Sequence, residues 1–87
     1  MTKDDVERAI ENYNKYRSPR ATADLIEFEP DEIKVLIKGS FCRSCGMEDY
    51  FIDLVYELER QGIDAKYMGF EPKGSEKFLA RYDLKNG

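Results

Sequence analysis

GSFCRSCG, residues 39–46, joins a strand-like run to the most regular helical pattern of the chain. Apolar side chains alternate with other residues over 33–38, which is the period of a half-buried strand. After the stretch, apolar residues recur at intervals of three and four. This spacing predicts an amphipathic helix from about residue 44 or 45 to residue 61. The stretch also contains the only two cysteines, Cys42 and Cys45.

The helix after the cysteines has a predicted core stripe and a recognisable end. Glu48 and Asp49 fall in its first turn, where the helix dipole favours negative charge. Gly62 stands where a left-handed C-terminal cap is expected. The apolar stripe, which we expect to face the core, consists of Met47, Tyr50, Phe51, Leu54, Val55 and Leu58.

The rest of the chain reads as one more helix and three more strands. A helical period over residues 2–17 ends before Pro19, and it places Tyr13 and Tyr16 toward the core. Two hairpins follow from Pro-containing turns, in which Pro and a polar residue suit the central positions. The predicted strands are residues 23–28 and 33–38 around a turn at 29–32, and residues 63–70 and 78–84 around a turn at 71–74.

The element order α-β-β-α-β-β predicts an α+β fold. We expect a two-layer sandwich, with a four-stranded antiparallel or mixed sheet and both helices on one face. The 87 residues suffice for one small domain, Met1–Gly87, with a single hydrophobic core. If the two strands around the second helix are parallel neighbours, their connection must cross over right-handed.

Composition and charge exclude several classes of function. The net charge is −4, and Lys and Arg are mixed with acidic residues along the chain, so no nucleic-acid partner is expected. The apolar runs are shorter than the ~20 residues that span a bilayer, and the first residues do not resemble a signal peptide. We therefore expect a soluble cytoplasmic protein without a membrane partner.

Cys42 and Cys45 are the candidate site. At a helix N-terminus, unpaired backbone N–H groups and the helix dipole stabilise a thiolate, and Arg43 adds positive charge. A thiolate is both a metal ligand and a redox nucleophile, so the spacing supports metal binding and dithiol chemistry equally. A structural disulfide is disfavoured, because so short a loop gains little from closure and the cytosol is reducing.

The region around these cysteines resembles heavy-metal-associated domains, the family of copper chaperones and of N-terminal modules in metal-pumping ATPases. The similarity covers roughly residues 33–67: a strand, the motif GSFCRSC, an amphipathic helix, and the step Gly62-Ile63 into a second strand. The resemblance implies that Cys42 and Cys45 hold one soft ion, typically Cu(I), in a linear two-thiolate geometry.

The chain departs from that family in two respects. Ser40 stands where the family usually has a methionine that tethers the metal loop. The family order is β-α-β-β-α-β, whereas this chain begins with a helix and a strand. Moving the final α-β of a ferredoxin-like sandwich to the front gives the present order, with residues 2–17 as the transposed helix. The fold is therefore interpreted as a circular permutant.

Two other uses of a C-x-x-C pair remain open. Residues 42–46 are similar to a zinc knuckle, but structural zinc needs four ligands and the chain has no histidine. Glu48 or Asp49 could complete such a site, and so could the cysteines of a second copy in a homodimer. A thioredoxin-like fold additionally needs a cis-proline strand beside the thiols, whereas Pro72 is predicted to lie in a turn.

These observations rank the functions without closing the question. A copper- or zinc-class ion bound by Cys42 and Cys45 comes first. A dithiol redox protein and a protein-interaction module without thiol chemistry are the alternatives. Without histidine no Ser-His-Asp triad exists, no phosphate-binding loop is present, and no nucleotide or organic cofactor is indicated. An enzyme is therefore not favoured.

Overall fold

A computed structural model describes residues 3–17, 21–39 and 47–85. These ranges contain two helices and four strands in the order α-β-β-α-β-β, so the predicted order is confirmed. The elements are α1 (Lys3–Arg17), β1 (Ala21–Phe28), β2 (Glu32–Gly39), α2 (Met47–Arg60), β3 (Asp64–Gly74) and β4 (Lys77–Lys85). The predicted start of α2 at residue 44 or 45 lies outside the described residues.

The four strands form one antiparallel sheet in the order β1-β2-β4-β3. Because β4 pairs with both β2 and β3, those two strands run parallel to each other but are not neighbours. The condition for a right-handed crossover between adjacent strands therefore does not arise. The unit β2-α2-β3 is a split β-α-β in which β4 occupies the middle position.

Both helices lie on one face of the sheet, so the predicted two-layer α+β sandwich is confirmed. α1 packs against α2 and β1, and α2 packs against β3. The alternating residues Ile33, Val35 and Ile37 of β2 are fully buried beneath the helices, as their period requires. The corresponding buried residues of β4 are Phe78, Ala80, Tyr82 and Leu84.

Turn and cap chemistry at two predicted positions is confirmed. The β1–β2 turn is closed by hydrogen bonds in both directions between the backbones of Glu29 and Glu32. Gly62 adopts a φ of +80° after α2. Its N–H donates to the Glu59 carbonyl, and the N–H of Ile63 donates to the Leu58 carbonyl, which together form a Schellman cap.

The boundary and the faces of β3 differ from the prediction. Pro72 lies within β3 opposite Phe78, and the hairpin turns later, at 75–76. Proline is tolerated there because β3 is an edge strand. A register shift between Tyr67 and Gly69 returns Phe70 to the core side, although strict alternation had placed it on the opposite face from Tyr67.

The prediction that both tyrosines of α1 face the core is wrong for one of them. Tyr13 is buried, whereas Tyr16 is 61% exposed. Tyr16 lies near the end of α1, and Lys15 places its ammonium 5.9 Å from the centre of the Tyr16 ring. The helical period therefore assigned the correct face to the middle of α1 but not to its last turn.

The outer edge of β1 is covered by a side chain of α1. The side-chain amide of Asn14 donates to the carbonyl of Ala23 at 3.0 Å. The N–H of Ala23 donates back to the Asn14 side-chain oxygen at 2.7 Å. Asn14 thus occupies both backbone groups of an edge residue that would otherwise be open to another strand.

Candidate functional site

The two cysteines follow one described element and precede another. Cys42 and Cys45 themselves lie outside the described residues. The chain leaves β2 at Gly39 and enters α2 at Met47. The structure shows how Gly39 and Met47, the two points that flank the cysteine segment, are positioned.

The end of β2 is held against the β3–β4 hairpin and the start of β1. The N–H of Gly39 donates to the carbonyl of Glu76 at 3.0 Å. Gly39 also pairs with Ala21, the first residue of β1. Glu76 adopts a φ of +62° in the hairpin turn, a conformation that non-glycine residues rarely adopt. The chain thus leaves the sheet at an end where three strands are fixed together.

Two tyrosine hydroxyls hold the first turns of α2. Tyr13 donates to the Tyr50 carbonyl, and Tyr82 donates to the Phe51 carbonyl, each at 2.7 Å. One donor belongs to α1 and the other to β4, so the helix is hydrogen-bonded to both layers at consecutive residues. A buried tyrosine hydroxyl requires such a partner, and here the partner is the helix backbone itself.

An aromatic cluster surrounds Phe51 in the same turns of α2. Its ring centre lies 5.2 Å from that of Phe70, 5.9 Å from that of Phe78 and 6.0 Å from that of Tyr67. Tyr67 is in turn 5.8 Å from Tyr82. These centre-to-centre distances fall within the range of about 4.5–7 Å that is typical of packed aromatic pairs. Packing and hydrogen bonding together therefore fix the described start of α2 on the sheet.

The environment of Tyr82 keeps its hydroxyl protonated. Burial raises the pKa of Tyr82 above its ordinary value of 10.0, and the neighbouring Tyr13 and Tyr67 raise this pKa further. The neutral hydroxyl remains a hydrogen-bond donor to Phe51 throughout the neutral pH range. Tyr82 is consequently a positioning residue for α2.

The described part of the chain offers no ready alternative to the cysteines as a metal site. Residues 3–17, 21–39 and 47–85 contain no group of three or more cysteine, histidine or carboxylate side chains arranged to hold a metal ion. Asp49 is exposed on α2, and whether it completes a zinc site stays a prediction. The predicted ligands remain Cys42 and Cys45.

Glu57 is a buried charged residue whose burial its residue type does not predict. It is 5% exposed, and its Oε1 has no hydrogen-bond partner among the described residues. The Oε2 atom lies 3.9 Å from Nη1 of Arg60, a weak ion pair to an exposed side chain. The available signal was its spacing of three from Leu54 and seven from Tyr50, which puts Glu57 at the border of the apolar stripe.

Comparisons with known proteins do not assign this chain to a family. No protein-family model matches it, and no curated protein sequence matches it. None of the helices in the described ranges has the length and apolar character needed to cross a membrane.

Proposed function

We propose that the protein binds a soft or borderline metal ion, Cu(I) or Zn(II), through the thiolates of Cys42 and Cys45. The observation that carries the proposal is the position of this C-x-x-C pair between the end of β2 and the start of α2. Thiolates in the segment that leads into a helix are favoured by the dipole of that helix.

The donor set fits two classes of ion differently. Two thiolates are a sufficient set of soft ligands for Cu(I). Zn(II) prefers four ligands, so zinc would require two further donors, from carboxylates such as Asp49 or from a second copy of the chain. The chemistry of the donors therefore favours one copper ion per monomer over one zinc ion per monomer.

The sheet topology supports the similarity to heavy-metal-associated domains. β2-α2-β3 is a split β-α-β around β4, and β4 and β1 are likewise parallel with β2 between them. If the end of β4 led into α1, a second split unit would result. Two such interleaved units make up a ferredoxin-like sandwich, so the strand order supports the proposed circular permutation.

The anchored start of α2 supports a carrier role for the site. The tyrosine hydrogen bonds and the aromatic cluster hold the turns that follow the cysteines. These contacts are made by residues other than Cys42 and Cys45, so they do not require a bound metal ion. We accordingly expect the protein to fold without metal, unlike small zinc modules whose folding depends on the ion.

Native mass spectrometry with elemental analysis on protein purified without oxygen tests this proposal. The variants are Cys42→Ser/Cys45→Ser and, as a matched control in the same segment, Ser44→Ala. One ion per monomer in the wild type and in Ser44→Ala, absent from the double variant, would support the two-thiolate site. One zinc per dimer would indicate a shared site instead.

The redox alternative has its own signature in the same samples. A reversible disulfide between Cys42 and Cys45, together with no metal in any preparation, would replace the metal proposal with dithiol chemistry. No bound metal, no reversible disulfide and the reactivity of ordinary free thiols would leave the cysteines with neither role. Circular dichroism of all variants checks that the fold is retained.

A further inference from the structure

The face of the sheet opposite the helices has an unusual pattern along its two central strands. On that face the residues of β2 and β4 meet as like with like, in four consecutive cross-strand pairs. The pairs are Glu32 with Asp83, Lys34 with Arg81, Leu36 with Leu79, and Lys38 with Lys77. The pair Leu36–Leu79 thus lies between two pairs of cations.

Directly opposed like charges destabilise a sheet. A side-chain hydrogen bond from Lys34 to Glu27, and the charge of Glu27, raise the pKa of Lys34, although desolvation and the charge of Arg81 act to lower it. The repulsion between Lys34 and Arg81 is therefore offset on the Lys34 side by Glu27.

Ion pairs with carboxylates are found for the two cations of β2. Lys34 lies 3.0 Å from Glu27, and Lys38 lies 3.6 Å from Asp24, both carboxylates of β1. On β4, Arg81 and Lys77 are exposed and form no ion pair within the described part of the chain. Two cations of one strand therefore face solvent on either side of Leu79.

The leucine pair gives this surface an apolar centre. Leu36 and Leu79 are only partly buried although they occupy the middle of the sheet. Along β4, Lys77 and Arg81 are four residues apart, which is about 14 Å in an extended strand. A complementary partner would carry two anionic groups at that separation with an apolar side chain midway.

The same pattern argues against two other occupants. A second copy that packed with its strands aligned to β2 and β4 would bring its own leucines onto Leu36 and Leu79 and place cations against cations along both strands. A nucleic acid would meet carboxylates on both sides of the β2–β4 pairs, namely Asp24 and Glu27 on β1 and Glu71 on β3. The chain also has a net charge of −4, which repels phosphates.

We propose that the open face of the sheet is a docking surface for an acidic protein segment, which places carboxylates on Lys77 and Arg81 and an apolar side chain on Leu36 and Leu79. The carboxylates of the partner supply counter-charges to Lys77 and Arg81, which form no ion pair within the described residues. Such charges guide encounter and orientation, and the leucine contact adds burial of apolar surface. The proposal does not rest on metal binding by Cys42 and Cys45.

The test uses the full chain labelled with ¹⁵N and a synthetic peptide containing the pattern Glu-Thr-Leu-Thr-Glu. We expect saturable chemical-shift changes in β2 and β4 that weaken as salt is added. In Lys77→Glu/Arg81→Glu we expect the dissociation constant to rise at least tenfold. The matched control, Lys66→Glu/Lys85→Glu, reverses two charges at the acidic end of the same face and should bind as the wild type does.

Stability measurements separate loss of docking from loss of fold. The change Lys77→Glu/Arg81→Glu creates opposite-charge pairs with Lys38 and Lys34, so its thermal midpoint should equal or exceed that of the wild type. Equal binding by both charge-reversed proteins would overturn the proposal. So would the absence of shifts in β2 and β4, or tighter binding of an oligouridylate than of the peptide at the same residues.

Discussion

The hydroxyl of Tyr82 on β4 donates a 2.7 Å hydrogen bond to the backbone carbonyl of Phe51 on α2. This bond ties the middle of the sheet to the helix that follows the cysteine segment. Tyr13 does the same from α1 at the preceding residue, Tyr50. The position of α2 is thus fixed from two sides by groups that do not take part in the proposed chemistry.

Replacing Tyr82 by phenylalanine should change stability in a pH-dependent way. At pH 7 we expect Tyr82→Phe to lose about 1 kcal/mol with the hydrogen bond to Phe51. Because the pKa of Tyr82 is raised in the folded protein, the unfolded chain alone releases its proton above pH 10, and wild-type stability falls there. The stability difference should therefore change by about 1.4 kcal/mol between pH 9 and pH 11, so that the deficit of the variant disappears and turns into a small surplus.

Denaturant unfolding of Tyr82→Phe at these pH values measures the effect, with Tyr56→Phe as the control. Tyr56 is 57% exposed, so its substitution should leave the free energy of unfolding nearly unchanged at neutral pH. A deficit of Tyr82→Phe that stays constant up to pH 11 would contradict the assignment of a raised pKa.

Asn14 should protect the edge of β1. In Asn14→Leu, both backbone groups of Ala23 lose their partner, and we expect a loss of about 1–3 kcal/mol. The exposed edge should also pair with a second copy, seen as concentration-dependent dimers in analytical ultracentrifugation. Asn12→Leu on the same helix is the control, and monomeric Asn14→Leu of unchanged stability would refute this role.

Gly62 should be required for its backbone conformation alone. A Cβ added at this position would meet no atom within 4 Å, so the cost of Gly62→Ala comes from the φ of +80°. We expect a loss of about 1 kcal/mol, and a smaller loss in Gly62→Asn because asparagine tolerates this region. Thermal unfolding of the two variants measures the difference, and equal midpoints would contradict it.

Glu57 should cost stability rather than provide it. Its Oε1 is buried without a hydrogen-bond partner in the described ranges, so Glu57→Met removes an unsatisfied polar atom and adds apolar contact. We expect equal or higher stability in chemical denaturation at neutral pH, with the exposed Glu59→Met as the reference. A loss above about 1 kcal/mol would show that the carboxylate has a partner in solution.

The sequence was sufficient for the elements with a clear period. Ile33, Val35 and Ile37 alternate strictly and are fully buried. The period fails where one residue is added, and the register shift next to Met68 therefore moves Phe70 to the core side. The local pattern predicts a turn at Pro72. Proline is tolerated in β3 because β3 is an edge strand, and strand order is not encoded in the local pattern.

The candidate site divides in the same way. The chemistry of Cys42 and Cys45 can be read from residue type and spacing, because a C-x-x-C pair before a helix is a local pattern. The support from Tyr13 and Tyr82 cannot, because it depends on which strand lies beneath α2. The like-charged pairs of the open face could not be predicted either, because Lys34 and Arg81 are distant in the sequence and meet only through the pairing of β2 with β4.

The central place of β4 has a consequence for the order in which the fold is assembled. β2 and β3 are synthesised before β4, yet both pair with β4 in the folded sheet. Until β4 is synthesised, one edge of the β1–β2 hairpin therefore remains unpaired, and α2 cannot pack on a complete sheet. Closure of this sheet depends on contacts between distant parts of the chain, which slow folding, and β4 is the strand that joins the β1–β2 hairpin to β3.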